Sequence, residues 1–353
     1  MSVVATSLIE WLEEAPFTLC MSSSFCGWFA HLGVLEALLE AGCRPAKVAG
    51  ASAGAMVAAV YASGMPLEEA KALLLSLKRE DLLQFSFVES GPAMSVFQVV
   101  ENNKLVSALP VQRLEDCRVP IAVSTFSLDD WGTRVFRRGP IGDIVTASCS
   151  VPLLVPRAVI QGESSRFWDG GVADIGGLEG CKPGTEDGGK GLGPWPPISS
   201  SPDEDLFPPA PLLAPVAVAA ERSSRGRNSN NGNRSSNNSS SNSSGSSSRS
   251  PKQERVLYHH CTVAPIWMAG CSAFEDITTL QLTGLPIVTP FTLETAGRRM
   301  YLSARDAMRR ALFTARKDNT VIVQAVDIAD TIPDTNGDTI GNTAGPRAPR
   351  ARL

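Results

Sequence analysis

The chain has 353 residues, 43% of them hydrophobic and 19% charged, with a formal net charge of −4 at pH 7. This apolar content is ordinary for a globular protein and can support one large core. The slightly acidic balance argues against nucleic acid as a partner, which would need a basic surface, and gives no general attraction to anionic membranes.

Every run of about 18 residues contains charges or breakers, which argues against a transmembrane helix. The segment 1–16 reads as a helical extension. It has no basic n-region, and Glu10, Glu13 and Glu14 interrupt its apolar positions, which argues against a secretory signal. The eight cysteines, Cys20, Cys26, Cys43, Cys117, Cys149, Cys181, Cys261 and Cys271, form no C-x-x-C pair. Reduced thiols in a cytoplasmic compartment, with no zinc site, are expected.

In chain order, Phe29, Leu32, Leu35, Leu38 and Leu39 mark one face of a helix that Gly42 can end. Lys47-Val48-Ala49 is a short strand leading to Gly50, and residues 53–62 form a helix stopped by Gly64 and Pro66. Residues 67–77 form a further helix and 120–124 a buried strand. Val159-Ile160 and Arg166-Phe167-Trp168 frame a hairpin turned at Gln161-Gly162.

From 181 to 253 the chain is Gly-rich, then Pro-rich, then nearly pure Ser and Asn. With few large apolar side chains to offset ordering entropy, it reads as a disordered insertion. Loop closure grows costlier only logarithmically with length, so the flanks, 17–180 and 254–330, read as a single domain. Residues 255–259 look like a strand, Thr289-Pro290 opens a long amphipathic helix to about 315 with Pro290 in its first turn, and 320–325 is a last strand. Residues 331–353 read as a disordered tail. The alternation implies an α/β fold, a mostly parallel sheet flanked by helices in three α/β/α layers.

The chemistry centres on Gly50-Ala51-Ser52-Ala53-Gly54. In a nucleophile elbow a strand turns sharply into a helix, exposing a strained serine whose small neighbours let the backbones pass. The following helix directs its N-terminal N–H groups at a developing oxyanion. Asp169-Gly170-Gly171 follows a strand and would project a carboxylate from a sheet edge. A base for serine could come from it or from the histidines His31, His259 and His260, the only three in the chain.

The run Phe25-Cys26-Gly27-Trp28-Phe29-Ala30-His31-Leu32-Gly33-Val34-Leu35 resembles the first conserved block of patatin-like phospholipases. Gly50 to Gly54 is similar to the family's nucleophile block. Ala147-Ser148-Cys149-Ser150-Val151-Pro152, with Pro156 and then Phe167-Trp168-Asp169-Gly170-Gly171, is similar to its third. The resemblance implies a Ser52–Asp169 dyad that hydrolyses lipid esters without metal or cofactor. Phe25, Cys26, Gly27 and Ala53 would line the oxyanion and substrate site. One departure stands out: the family's Gly-rich oxyanion loop is here Ser22-Ser23-Ser24-Phe25-Cys26-Gly27, with a single glycine. Serine and phenylalanine restrict the geometry that glycine adopts freely.

Two other readings stay open. Ser52, Asp169 and His259 or His260 have the chain order of an α/β-hydrolase triad, and a lipid-binding scaffold could keep the fold without turnover. The histidine pair is expected to end a strand with one ring buried and one exposed, and His31 to be structural. Arg298, Arg299, Arg305, Arg309 and Arg310 read as a solvated helix face. Transient contact with a membrane surface or lipid droplet would use apolar residues such as Trp28 and Phe29. Ala351-Arg352-Leu353 resembles a peroxisomal address. Headgroup, acyl chain and oligomeric state are not legible.

Overall fold

A computed structural model of the chain describes residues 6–90, 93–99, 104–183, 195, 255–261, 274 and 276–328. The disordered stretch expected at 181–253 lies outside these apart from 181–183 and Trp195, and the expected tail, with its Ala351-Arg352-Leu353 end, lies wholly outside.

The first half runs α1 (Leu8–Glu14), β1 (Phe17–Met21), α2 (Trp28–Glu40), β2 (Lys47–Ala51), α3 (Ala53–Ala62), α4 (Leu67–Leu75) and a short α5 (Arg79–Leu82). A hairpin of β3 (Leu83–Ser90) and β4 (Ala93–Val99) and a short α6 (Lys104–Ala108) follow. Then come β5 (Ile121–Ser127), β6 (Gly132–Phe136), α7 (Ile141–Ser148), β7 (Ala158–Val159) and β8 (Arg166–Asp169). Last come β9 (Arg255–His260), β10 (Ile277–Thr283), α8 (Leu293–Leu312) and β11 (Thr320–Gln324).

The fold is mixed α/β with a mostly parallel central sheet, ordered β11-β10-β9-β1-β2-β5-β8-β7. The six strands from β11 to β5 are mutually parallel, while β6 and β8 both run antiparallel to β5. Winding proceeds from β1 through β2 to β5 on one side and from β9 through β10 to β11 on the other. The direction of winding therefore changes between β1 and β9, and in open sheets ligands bind beyond the carboxyl ends of strands at such a switch point. The loops after β1 and β2 open there.

Strand alternation sorts the core into two clusters. Leu19 and Met21 join the helices in the larger one, whereas Cys20, Ala49, Ala122, Val256 and Tyr258 form the smaller on the opposite face. Trp195 and Phe274 pack on that second face. Arg137 lies 4.2 Å and Lys47 4.9 Å from the Trp195 ring centroid.

The central helices are more deeply buried than one apolar stripe suggests. In α2 every residue from Trp28 to Leu39 is buried, including Glu36. Its carboxylate meets Lys71 at 2.8 Å and Arg305 at 3.3 Å and accepts a hydrogen bond from Tyr301. The expected solvated arginine face of α8 is thus corrected at Arg305, while the Arg309 side chain stays partly exposed to solvent as it forks onto Glu40 with two 2.8 Å hydrogen bonds. Pro290 is not in the first turn of α8. A turn in which the Thr292 N–H donates to the Thr289 carbonyl at 3.0 Å holds that stretch outside the helix, and Thr292 becomes the N-cap.

Where α2 crosses α8, a Cβ on Gly33 would collide with the Tyr301 carbonyl oxygen and lie 2.9 Å from the Arg305 nitrogen. Alanine normally stabilises a helix interior by about 1 kcal/mol over glycine. At this crossing it must push two backbones apart, and overpacking costs about 1–3 kcal/mol. Gly33→Ala is expected to lower the urea unfolding midpoint; a raised midpoint would show that the crossing has slack.

Candidate active site

Strand β2 delivers Ser52 into a sharp turn, with φ 51° and ψ −120°, and α3 starts at the next residue. This conformation is strained for a residue with a side chain, at about 1–3 kcal/mol, and the surroundings hold it. The Ser52 N–H donates to Ser148 Oγ at 2.8 Å, and that hydroxyl donates to the Ser124 carbonyl at 2.7 Å. The flanking glycines are steric necessities. A Cβ on Gly54 would overlap the Met21 carbonyl oxygen, and one on Gly50 would lie 2.6 Å from the Gly54 carbonyl carbon.

Asp169 ends β8, which pairs with β5 so that Thr125 faces Asp169. Gly170 then passes so close to the Ser124 carbonyl oxygen that no Cβ fits, and a Cβ on Gly171 would strike the Ser23 hydroxyl. The carboxylate crosses β5 at the level of Ser124 and Thr125 to reach Ser52, whose Oγ donates to Asp169 Oδ2 at 2.6 Å. Its other oxygen accepts the Gly171 N–H at 2.7 Å. Both side chains are buried. Burial pushes the Asp169 carboxyl up to about 6, against the pull of hydrogen bonds from Ser52, Gly171 and Ser23.

Ser52 opens into a cavity with about 110 Å³ accessible to the centre of a water molecule. Its walls are apolar for the most part, from Met56, Leu82, Leu105, Val145, Leu154 and Leu293, with Arg79 as a cationic member. Phe25, Cys26 and Ala53 line it as well. Cys26 and Cys149 carry thiols that burial pushes up, Cys26 to about 12, so both stay protonated at neutral pH.

The glycine-poor loop adopts a glycine-like backbone all the same. Phe25 takes φ 47°, at a cost of about 1–2 kcal/mol for an L-residue. The expected donor at Gly27 needs correction: its N–H is committed to the Ser24 carbonyl at 2.7 Å. The N–H of Ala53 is better placed, because the first turn of a helix leaves its N–H groups without intrahelical partners.

Trp28 and Phe29, expected at the surface, are buried. The Trp28 indole donates to the Leu74 carbonyl at 3.3 Å, and Phe29 fills the space left by Gly297 on α8. Both His259 and His260 are buried, not one of the two. His259 Nδ1 lies 2.8 Å from His31 Nδ1, and His260 Nδ1 lies 2.9 Å from the Tyr258 hydroxyl.

Two residues that sequence reasoning passed over support the site. Ser148, within the Ala147–Pro152 block, ties Ser52 to β5. Asp174, raised by burial, accepts from Ser124 Oγ at 2.7 Å and from the N–H groups of Leu178 and Glu179 at 3.0 and 3.1 Å. It pins the chain after Asp169 to β5. The available signal was a second aspartate within a glycine-rich run.

The buried Ser52–Asp169 pair thus sits at a strained strand–helix elbow of a mixed α/β sheet. Residues 19–178 match the model of the patatin-like phospholipase family. Uncharacterized NTE family proteins of Mycobacterium bovis and Mycobacterium tuberculosis are 28% identical over 161 residues, covering 44% of this chain and 42% of theirs. The matched region therefore spans less than half the length of those relatives. VipD from Legionella pneumophila is a solved structure with 17% identity and a TM-score of 0.37, over 45% of this chain and 46% of that one.

Ser148→Ala would leave the Ser52 N–H without its partner in a buried site, a loss of about 1–3 kcal/mol. A thermal midpoint several degrees lower is expected; an unchanged midpoint would mean that the elbow holds itself.

Proposed function

We propose that the chain is a serine lipid acyl hydrolase that cleaves fatty acyl esters of phospholipids or related glycerolipids through a Ser52–Asp169 dyad. The observation that carries this reading is the 2.6 Å hydrogen bond from Ser52 Oγ to Asp169 Oδ2 at the head of an apolar cavity.

In this mechanism the acyl chain lies along the apolar wall. Ser52 Oγ attacks the ester carbonyl carbon as Asp169 takes the hydroxyl proton. N–H groups of Ala53 and Cys26 receive the oxyanion. The proton passes to the departing alkoxide, leaving an acyl-serine. Water then attacks that ester, with Asp169 again as base, and free fatty acid leaves. A carboxylate at the ordinary aspartate value would be a feeble base, and burial brings it closer to neutrality. The engagement of His259 with His31 favours a dyad over a triad, since a triad would need an imidazole between serine and aspartate.

Contact with a lipid surface would fall to the cavity rim. Phe25 is 48% exposed and lines the mouth. Leu153, beside the lining Leu154, is 67% exposed, and Phe291, beside the lining Pro290, is 76% exposed. Apolar side chains gathered at a cavity mouth commonly mark a binding surface.

Ser52→Ala and Asp169→Asn should each reduce hydrolysis of a soluble short-chain ester by roughly 10³-fold or more in calcium-free buffer, with folding intact. Retained turnover in both would remove the dyad, and a wild type that neither turns over nor labels with a fluorophosphonate would favour a lipid-binding scaffold. Only the ionised carboxylate can take the proton, so kcat/KM should fall as pH drops through about 6. A profile flat from pH 5 to 8 would rule out Asp169 as the base. Combined Phe291→Ser and Leu153→Ser should cut hydrolysis of vesicle-borne ester by roughly tenfold, since ~1.4 kcal/mol of lost burial is a factor of ten, and spare the soluble ester. Equal loss on both substrates would mean that the rim shapes the cavity instead.

A further inference from the structure

The loop at 22–27 is short of glycine, and yet it holds a defined course beside Ser52. Backbone pairing and side chains anchor it together. The Ser22 N–H donates to the His259 carbonyl at 3.3 Å, the Cys261 N–H donates to Ser22 Oγ at 3.0 Å, and the Ser23 N–H donates to the Ile175 carbonyl at 2.7 Å. From the first turn of α2, His31 reaches back with Nε2 to the Ser22 carbonyl at 2.9 Å and to Ser24 Oγ at 3.2 Å. Its Nδ1 is 2.8 Å from His259 Nδ1, and the two rings meet edge to face with centroids 4.7 Å apart. Both imidazoles have no exposed surface.

These contacts assign the protons. A carbonyl oxygen only accepts, so His31 Nε2 carries hydrogen. A neutral His31 then presents a bare Nδ1, and His259 must donate its Nδ1–H to it. Neutrality holds at physiological pH, because burial lowers His31 to about 4 and pulls His259 well below its ordinary value. His259 Nε2 is left as a buried acceptor with no partner among the described residues. The order is directional: His259 donates to His31, and His31 donates to the loop carbonyl.

The topology explains why this pair can act on the site. Met21, the last residue of β1, is in register with His259 on β9, at the switch point of the sheet. His259 points to the helix face of β9 and His260 to the other.

We infer that the His259–His31 hydrogen bond positions the 22–27 loop for oxyanion binding, supplying by side-chain anchorage the definition that this loop lacks in glycine. The inference rests on the hydrolase reading for its catalytic consequence. His259 is a positioning residue and acts only through His31. The loop it holds carries Phe25 and Cys26, which line the cavity, and Ser23, which hydrogen-bonds Asp169. One anchored segment therefore sets both the oxyanion side of the site and a contact of the candidate base.

The test compares His259→Leu, which removes the donor at similar volume, with His259→Asn, whose carboxamide N–H can still donate to His31. Readouts on the full chain are kcat and KM for a soluble short-chain ester, the rate of fluorophosphonate labelling at Ser52, and amide hydrogen exchange over residues 22–28. In His259→Leu, kcat and the labelling rate should fall roughly 10- to 100-fold, short of deleting an oxyanion donor outright. KM should hold and exchange in the loop should quicken, and His259→Asn should restore most of each. Unchanged kcat and loop exchange in a folded His259→Leu overturn the inference, as does a folded His259→Asn that restores nothing. If His259→Leu does not fold, imidazole ¹⁵N shifts of the wild type decide: His31 protonated at Nδ1 or His259 at Nε2 alone overturns it. A wild type that neither turns over nor labels overturns the hydrolase reading, whereas unchanged loop exchange overturns the positioning, so the two failures are read apart.

Discussion

Ser52 follows β2 and Asp169 ends β8, two strands that do not touch. β2 and β8 flank β5, and the 2.6 Å hydrogen bond between the two side chains spans that intervening strand at the level of Ser124 and Thr125. Such a bridge forms only if the elbow comes in low over β1 and the turn after Asp169 comes in low over β5. Gly54 lies against the Met21 carbonyl and Gly170 against the Ser124 carbonyl, each without room for a Cβ. Ser148, at the end of α7, fastens the elbow to the same Ser124 carbonyl. The Ser124 hydroxyl meanwhile holds Asp174. One residue in the middle of β5, Ser124, thus organises both halves of the site.

This arrangement is costly, and part of its cost falls around the cavity. Phe25, Ser52 and Leu153 all have positive φ, and all border the cavity or adjoin a residue that does. Asp169 is buried deeply enough to resist ionisation, yet three hydrogen bonds favour its charge. Strain and desolvation of this kind persist only where packing over-determines them. The buried α2, pressed against α8 and knit to it through Glu36, provides that rigidity.

The sheet has two differently furnished faces. On one, the helices build the main core and carry His31 and the elbow helix. On the other, small residues such as Cys20, Ala49 and Ala122 admit the chain that follows Asp169, together with Trp195 between Lys47 and Arg137. Gly180 packs 3.1 Å and 3.2 Å from the Cβ positions of Ala122 and Ala49 when given a Cβ of its own, so these small side chains set how near that segment lies.

Much was legible in the sequence because it is written locally. A strand running into G-x-S-x-G and an alanine-rich helix, an Asp-Gly-Gly after a hairpin, and Gly42 with φ 77° after α2 are decided by sterics within a few residues. So is the alternation that implies a mostly parallel sheet. Less legible were β1, β6 and β10, whose short runs have no strong period of their own and become strands by pairing. Pairwise contact also decided what single positions could not declare. Trp28 and Phe29 look like surface aromatics until α4 and α8 cover them. The histidines, 228 positions apart, have no relation along the chain until β9 settles beside β1. The sequence by itself determined which residues can turn, cap and react, because those are properties of a residue and its neighbours. Only the tertiary structure decided which of them meet, because the distances across β5 and between β1 and β9 follow from how the strands are ordered.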